Sequence, residues 1–314
     1  MRILFFGSPD FALPALRACL GTHTVVGVVT QPDRPAGRGH RPAPPPAKRV
    51  AEEAGISVFQ PPRLREPGWA ERLAGLVPDV GVVVAYGQIL PGAVLALPRL
   101  GCINLHASLL PRYRGAAPIA RAILEGETET GLTTFLMDEG MDTGPILRQV
   151  RVGIHPEETA GELAARLAIE GSSLLMETLE AWSAAHLKPL LQDGNLATLA
   201  PRLKKEDGHL AWARPAKDLV NLVRAMNPWP GAVALWEGRH VAVWRARSVG
   251  GAPLQPGLVF RTDGSLAIAT GAGGLLPLDV QPESRQRMAW EAFIRGYRVV
   301  AGARFEEVGA PAPR

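Results

Sequence analysis

An asparagine and a histidine stand two residues apart in Cys102-Ile103-Asn104-Leu105-His106, at the end of a short apolar run. In an extended strand residues i and i+2 share a face, so the Asn104 amide and the His106 imidazole project together while Leu105 turns into the packing behind them. An amide N–H can donate to an oxygen that gains negative charge, and an imidazole can carry a proton. The chain holds only four asparagines and seven histidines, so the pairing is more than composition. A polar strand end satisfied by neighbouring backbone is the bland alternative. Carboxylates that could partner the histidine follow in Met137-Asp138-Glu139-Gly140-Met141-Asp142-Thr143-Gly144, and the pattern leaves Asp138, Glu139 and Asp142 open in one glycine-flanked loop.

Other chemistries lose ground. Only Gly7 stands where a dinucleotide fold would place GxGxxG, and no Walker A, HExxH or GxSxG pattern occurs. No His/Cys cluster has metal-ligand spacing, so no metal is expected.

The elements that must position the pair follow from the hydrophobic pattern. Residues 3–6, 25–29, 80–84 and 102–105 are expected strands separated by helix-length segments, the pattern of an α/β domain with a largely parallel, Rossmann-like sheet. Such sheets bind ligands outside the carboxyl ends of their strands, where Asn104 and His106 fall. Ser8 is expected to cap a helix opening at Pro9, and Thr159-Ala-Gly-Glu162 forms a capping box before an apolar stripe through Leu163, Leu167, Leu174 and Leu175. The charge-free stretch 80–98 approaches membrane-span length, but its glycines and prolines argue for a strand, a turn and a short helix. The pattern lapses near Lys188, which suggests a catalytic domain over 1–189, a linker over 190–206 and a domain over 207–314. The short apolar runs of the last part point to a small, OB-like β-barrel.

Charge is uneven. The chain carries a net +4, made of −2 over residues 1–200 and +6 over 201–314. A basic C-terminal third suggests an anionic partner such as a nucleic acid; with only five lysines among the 34 basic residues, an arginine habit of composition is the alternative. The two cysteines form no disulfide framework, and residues 3–6 are too short for the apolar core of an export signal, so a cytoplasmic setting is expected.

The segments NLHASLLPRYRG at 104–115 and MDEGMDTG at 137–144 together resemble the folate-dependent formyltransferases. The resemblance continues through GSPDFA at 7–12, TQPDRPAGRG at 30–39, VVAYGQILP at 83–91 and AMNPWPGA at 225–232, and so covers nearly the whole chain. It implies an enzyme that takes a formyl group from 10-formyltetrahydrofolate and gives it to the α-amine of methionyl initiator tRNA, with no membrane and no obligate protein partner. It implies Asn104 as oxyanion donor, His106 as the proton-transfer group and Asp142 as the partner of the histidine. Ser108, Leu109, Leu110 and Pro111 would form the folate site, with Tyr86, Gly87, Gln88, Ile89 and Leu90 as a further wall. The basic, proline-rich segment 32–49 would engage the tRNA acceptor arm through Arg34, Arg38, Arg41, Lys48 and Arg49, with Arg38 at the tip. A formyltransferase acting on a nucleotide, a sugar amine or water, and an RNA-binding module with a vestigial α/β domain, are the competing expectations.

Overall fold

The computed structural model describes residues 1–36, 41–251, 255–262 and 264–309. The chain divides into two compact units. The first gathers Met1–Pro118, Glu129–Gly153 and Ala164–Pro201; the second gathers Ile119–Thr128, Ile154–Leu163 and the chain from Arg202 onward. This division crosses the sequence several times, whereas the expected boundary at 190–206 crosses it once.

In chain order the elements are β1 (Arg2–Gly7), α1 (Leu13–Thr22), β2 (Thr24–Val29), β3 (Arg34–Ala36), β4 (Arg41–Ala43), α2 (Pro46–Glu53), β5 (Val58–Phe59), α3 (Trp69–Ala74), β6 (Val80–Val84), α4 (Gly92–Leu95), β7 (Cys102–His106), α5 (Pro118–Leu124), β8 (Glu129–Leu136), β9 (Ile146–Gly153) and α6 (Ala160–Ser183). These are followed by α7 (Ala216–Ala225), β10 (Ala232–Trp236), β11 (Arg239–Val249), β12 (Val259–Thr262), β13 (Ser265–Ala269), β14 (Gly274–Pro282), β15 (Met288–Ala289) and α8 (Trp290–Gly296).

The first unit is built on one sheet with strand order β5-β2-β1-β6-β7-β8-β9. The pairs from β5 to β7 are parallel, and β8 and β9 add antiparallel. Residues 3–6 of β1 are fully buried and Val80–Val84 of β6 are buried throughout, as expected of strands covered on both faces. The chain goes from β1 outward through β2 to β5 on one side and then crosses back to β6 on the other side of β1, which puts a topological switch point at the carboxyl ends of β1 and β6. Ser8 sits there. It caps no helix: α1 starts at Leu13, and the Ser8 hydroxyl instead donates to the Tyr86 carbonyl and accepts from the Gln31 N–H and the Thr30 hydroxyl. Burial at a strand end makes these partners more valuable to Ser8 than a cap.

The segment 32–49 is not one loop. Its described part forms the β3–β4 ribbon and the first turn of α2, with Pro46 at the helix start, a position where a missing N–H costs nothing. Residues 190–200 cross the first unit, pairing Leu190 with Ile146 and Leu199 with Arg114, with a short 3-10 turn at Gly194–Leu196 between the two bridges.

The second unit holds an antiparallel sheet of order β10-β11-β14-β13-β12, with β15 on β14. Residues 303–306 bond to Leu235 of β10 at one edge, and to Gly257 and Val259 at the other, which closes the sheet as a small barrel. Trp236, Trp290, Phe293 and Phe305 fill its interior. Among the described residues, no helix is long and apolar enough to cross a membrane.

Candidate active site

The register of β7 settles which way its side chains face. Asn104 lies opposite Phe135 and His106 opposite Thr133 of β8. Gly171 of α6 lies so close to Leu105 and Leu132 that a Cβ there would meet both. Leu105 is thus packed against α6, and Asn104 and His106 share the other face.

His106 is 7% exposed. Its Nε2 lies 2.9 Å from the backbone oxygen of Tyr113. A carbonyl only accepts, so this contact assigns the proton to Nε2 and the lone pair to Nδ1. Nδ1 faces Oδ2 of Asp142 at 3.7 Å. That separation is too long for a hydrogen bond and short enough for an ion pair, so a proton gained at Nδ1 converts the approach into a charge pair.

Asp142 is held in an uncommon conformation. Its φ is +56°, in the left-handed region, which costs a residue with a side chain about 1–3 kcal/mol unless its surroundings impose it. Oδ2 accepts the Gly115 N–H at 2.7 Å. Gly115 has φ +120° and lies against the Ala200 carbonyl where a Cβ would collide, so a glycine is required to bring that N–H to the carboxylate. The rival acids are placed otherwise: Asp138 accepts from the Gly140 N–H and the Thr143 hydroxyl, and exposed Glu139 lies beside Gly92. Among the described residues, Asp142 is the one acid paired with His106.

Asn104 is half-buried, and among the described residues its amide makes one weak contact, a donation to Met137 Sδ at 3.9 Å. The amide is therefore left with donor capacity for a ligand atom. Among the described residues, no group of three or more His, Cys, Asp or Glu is placed to hold a metal ion.

The segment after β7 is fixed to its neighbours. The Ser108 hydroxyl is buried and donates to the Arg112 carbonyl, while Thr133 donates to the Ser108 carbonyl and accepts the Leu110 N–H. Leu110 lies in the core with Phe135 and Ile146, Leu109 packs over Gly131, and Pro111 is half-buried. On the facing wall, Tyr86 and Leu90 are core residues, 2% exposed each, and the Tyr86 ring meets Phe6 edge-on. The Tyr86 hydroxyl has no hydrogen-bond partner among the described residues, and burial pushes its pKa up, so it stays a neutral donor. Gln88 is spent on the Leu64 N–H and the Pro61 carbonyl. Gly87 and Ile89, the latter 83% exposed, are the parts of this wall open to a ligand.

The basic segment is less uniform than its composition. Lys48 is bonded to Asp33, Arg34 donates to Gln31, and Arg49 is exposed on α2. Arg41 lies in β4, and Arg38 is outside the described residues. Gln192 carries no residue-type signal: it lies in the stretch expected to be a linker, yet its amide donates to the carbonyls of both Asp142 and Gly144. The Tyr113 carbonyl and the Gly115 N–H were equally hidden, because backbone groups leave no residue-type signal.

Residues 1–179 match the formyl transferase family and residues 202–298 match its C-terminal domain. The methionyl-tRNA formyltransferase of Desulfotalea psychrophila is 48% identical over 305 residues, covering 96% of this chain and 94% of that protein. That of Myxococcus xanthus is 45% identical over 304 residues, covering 96% and 97%. Among solved structures, the N-formyltransferase of Helicobacter canadensis in complex with folinic acid and dTDP-3-aminofucose shares the fold at a TM-score of 0.65 and 16% identity, covering 90% of this chain and 99% of that one. The methionyl-tRNA formyltransferase of Clostridium thermocellum does so at 0.56 and 14%, covering 90% and 98%. With identity this high over nearly its whole length, the chain belongs to the formyl transferase family.

Proposed function

We infer that this chain transfers the formyl group of 10-formyltetrahydrofolate to the α-amine of methionyl initiator tRNA, for translation initiation. Full-length kinship with methionyl-tRNA formyltransferases supports the acceptor. The chemistry rests on one observation: His106 stands between the Tyr113 carbonyl and the Asp142 carboxylate on the strand face it shares with Asn104.

The amine nitrogen attacks the formyl carbon, and the C=O pair moves onto oxygen. The Asn104 amide donates to that oxyanion, a contact that strengthens as charge develops. His106 takes the proton released by the attacking nitrogen at Nδ1, and the Asp142 carboxylate faces the charge so formed. Collapse re-forms the carbonyl, breaks the bond from formyl carbon to folate nitrogen, and leaves that nitrogen to take the proton. Formylated amine and tetrahydrofolate result. On this reading the wall at Gly87–Ile89 and the segment 108–111 hold the folate, no metal takes part, and the basic segment 32–49 meets the tRNA. The enzyme would work in the cytoplasm, where the free, buried Cys19 and Cys102 stay reduced.

Labelled formyl donor supplied with charged initiator tRNA, free methionine, a sugar amine or water alone tests the reading. Label should appear on the tRNA. Transfer to the sugar amine in preference to tRNA would overturn the acceptor assignment.

A further inference from the structure

We propose that Gln192 is a positioning residue for the formyl transfer, setting the Asp142 carboxylate against His106 by clamping the backbone on which Asp142 rides. The proposal rests on the reading of His106 and Asp142 given above.

The geometry around Gln192 is saturated on one side and anchored on the other. Its Nε2 donates to the Asp142 carbonyl at 2.9 Å and to the Gly144 carbonyl at 2.7 Å. Both amide protons are therefore used, and both go to the loop that carries the acid. Its Oε1 accepts from Arg114 Nη2 at 2.7 Å and Nε at 3.1 Å, a charge-assisted fork that fixes the amide plane. Arg114 is one residue from Gly115, whose N–H holds Asp142 Oδ2, and one residue from Tyr113, whose carbonyl holds His106 Nε2. Gln192 thus ties the loop of the acid to the segment that grips both ends of the acid–imidazole pair.

The loop needs such a tie. Asp142 keeps a left-handed φ of +56° without glycine's freedom, and its carboxylate stands 3.7 Å from the ring, where a shift of a few tenths of an ångström changes the interaction. The backbone that carries Gln192 is itself held: Leu190 pairs with Ile146 in both directions, Thr198 accepts the N–H of Tyr113 at its hydroxyl and that of Arg114 at its carbonyl, and Ala200 exchanges bonds with Arg114 and Ala117. A rigid strap is what lets a side chain that never touches substrate set the position of one that acts on it.

Two replacements separate the clamp from packing. Gln192→Ala removes everything. Gln192→Glu keeps the shape and the acceptor for Arg114 but removes the two amide donors and faces carbonyl oxygens with a carboxylate. Both should lower kcat about 10- to 100-fold, with KM for folate and for charged tRNA within about twofold of the parent. In an Asp142→Asn background the same Gln192 changes should cost less than about threefold more, because the group they position has already been lost.

The four-variant comparison tells the two readings apart. A parent-like Asp142→Asn would overturn the assignment of Asp142 itself. A crippled Asp142→Asn beside parent-like Gln192→Ala and Gln192→Glu would overturn the proposal for Gln192 alone. So would a loss confined to KM, a parent-like Gln192→Glu beside a crippled Gln192→Ala, or a loss that multiplies in full with Asp142→Asn.

Discussion

Lys48 Nζ is bonded to both carboxylate oxygens of Asp33, at 3.0 Å to Oδ1 and 2.9 Å to Oδ2. Gln60 adds a donor to Oδ1 at 2.7 Å and also holds the Gln31 carbonyl. The lysine is therefore a clasp at the foot of the β3–β4 ribbon, its charge paired with Asp33. A residue that the resemblance places at the tRNA already has an acidic partner within the chain.

Lys48→Met should therefore weaken transfer to tRNA by loosening the ribbon without removing a phosphate contact. The dependence of kcat/KM on salt should keep its slope, whereas a lost phosphate contact flattens it by about one unit. Asp33→Asn should act in the same direction. The hydrogen bond from Gln60, then that from Lys48, holds the Asp33 carboxyl below the usual carboxylate range. A depressed carboxylate contributes its stabilisation above its unfolded pKa and loses it as pH falls through the folded one. The clasp is thus intact at neutral pH and opens only in acid. A flattened salt slope in Lys48→Met would restore Lys48 to the RNA contacts.

Asn104→Ala should lower kcat by about 10²–10³, the usual loss for one oxyanion donor, with folate binding close to the parent's. The side chain is half-buried and contacts only Met137 Sδ weakly among the described residues, so the fold loses little with it. Single-turnover transfer and equilibrium folate binding, measured on the same preparation, check both halves. Turnover near that of the parent removes Asn104 from the oxyanion role.

Asn104 and His106 were legible because strand alternation is a strict rule and the two polar types are scarce. The choice among Asp138, Glu139 and Asp142 was not, since it depends on a left-handed φ at Asp142 and on a Gly115 N–H reached from another segment. The parallel strands β1, β2, β6 and β7 stand out as apolar runs. Strands β8 and β9 do not: Thr130, Thr133 and Thr134 are buried polar residues, and Gln149 and Arg151 interrupt β9. Gln192 lies in a segment whose glycine, proline and aspartate content argues for a linker, because irregular hydrogen-bonded chain without periodicity carries no pattern to detect.

The capping box at the start of α6 gives a stability test. Glu162 Oε2 accepts the Thr159 N–H at 2.9 Å and the Thr159 hydroxyl at 2.8 Å, and Thr159 Oγ1 accepts the Glu162 N–H at 3.3 Å. Thr159→Ala should cost about 1 kcal/mol in denaturant unfolding. The Thr159 N–H is the main cause of the depressed Glu162 pKa, ahead of the Thr159 hydroxyl and Arg245. The contribution of Glu162 is therefore full above its unfolded pKa and lost as pH falls through its folded one, so the gap between parent and variant should narrow in acid. A gap of the same size at every pH would detach the acid from the cap.

The division of the chain predicts what a truncation does. A fragment ending at Pro201 keeps Ile119–Thr128 and Ile154–Leu163 but removes the rest of the unit to which they belong. Arg121 then loses Asp207 at 3.0 Å, the Glu158 carbonyl loses Arg224 Nε at 3.0 Å, and the Gly161 N–H loses the Asn227 carbonyl at 3.0 Å. Each lost bond costs about 1 kcal/mol where water replaces the partner, and more where it cannot. Ala122, Ile123 and Leu163 are fully buried in the whole chain and sit in the same segments. Three such bonds amount to about 3 kcal/mol, or about 6–12 °C for a fragment of this size. The fragment should melt that far below the full chain, and it should bind a hydrophobic dye that the full chain does not. A fragment carrying charged surface residues in place of Ala122 and Ile123 should lose the dye binding and keep the low melting point. Melting at the temperature of the full chain would mean that the two segments hold their conformation without the C-terminal part, and that the bonds to Asp207, Arg224 and Asn227 contribute nothing to it.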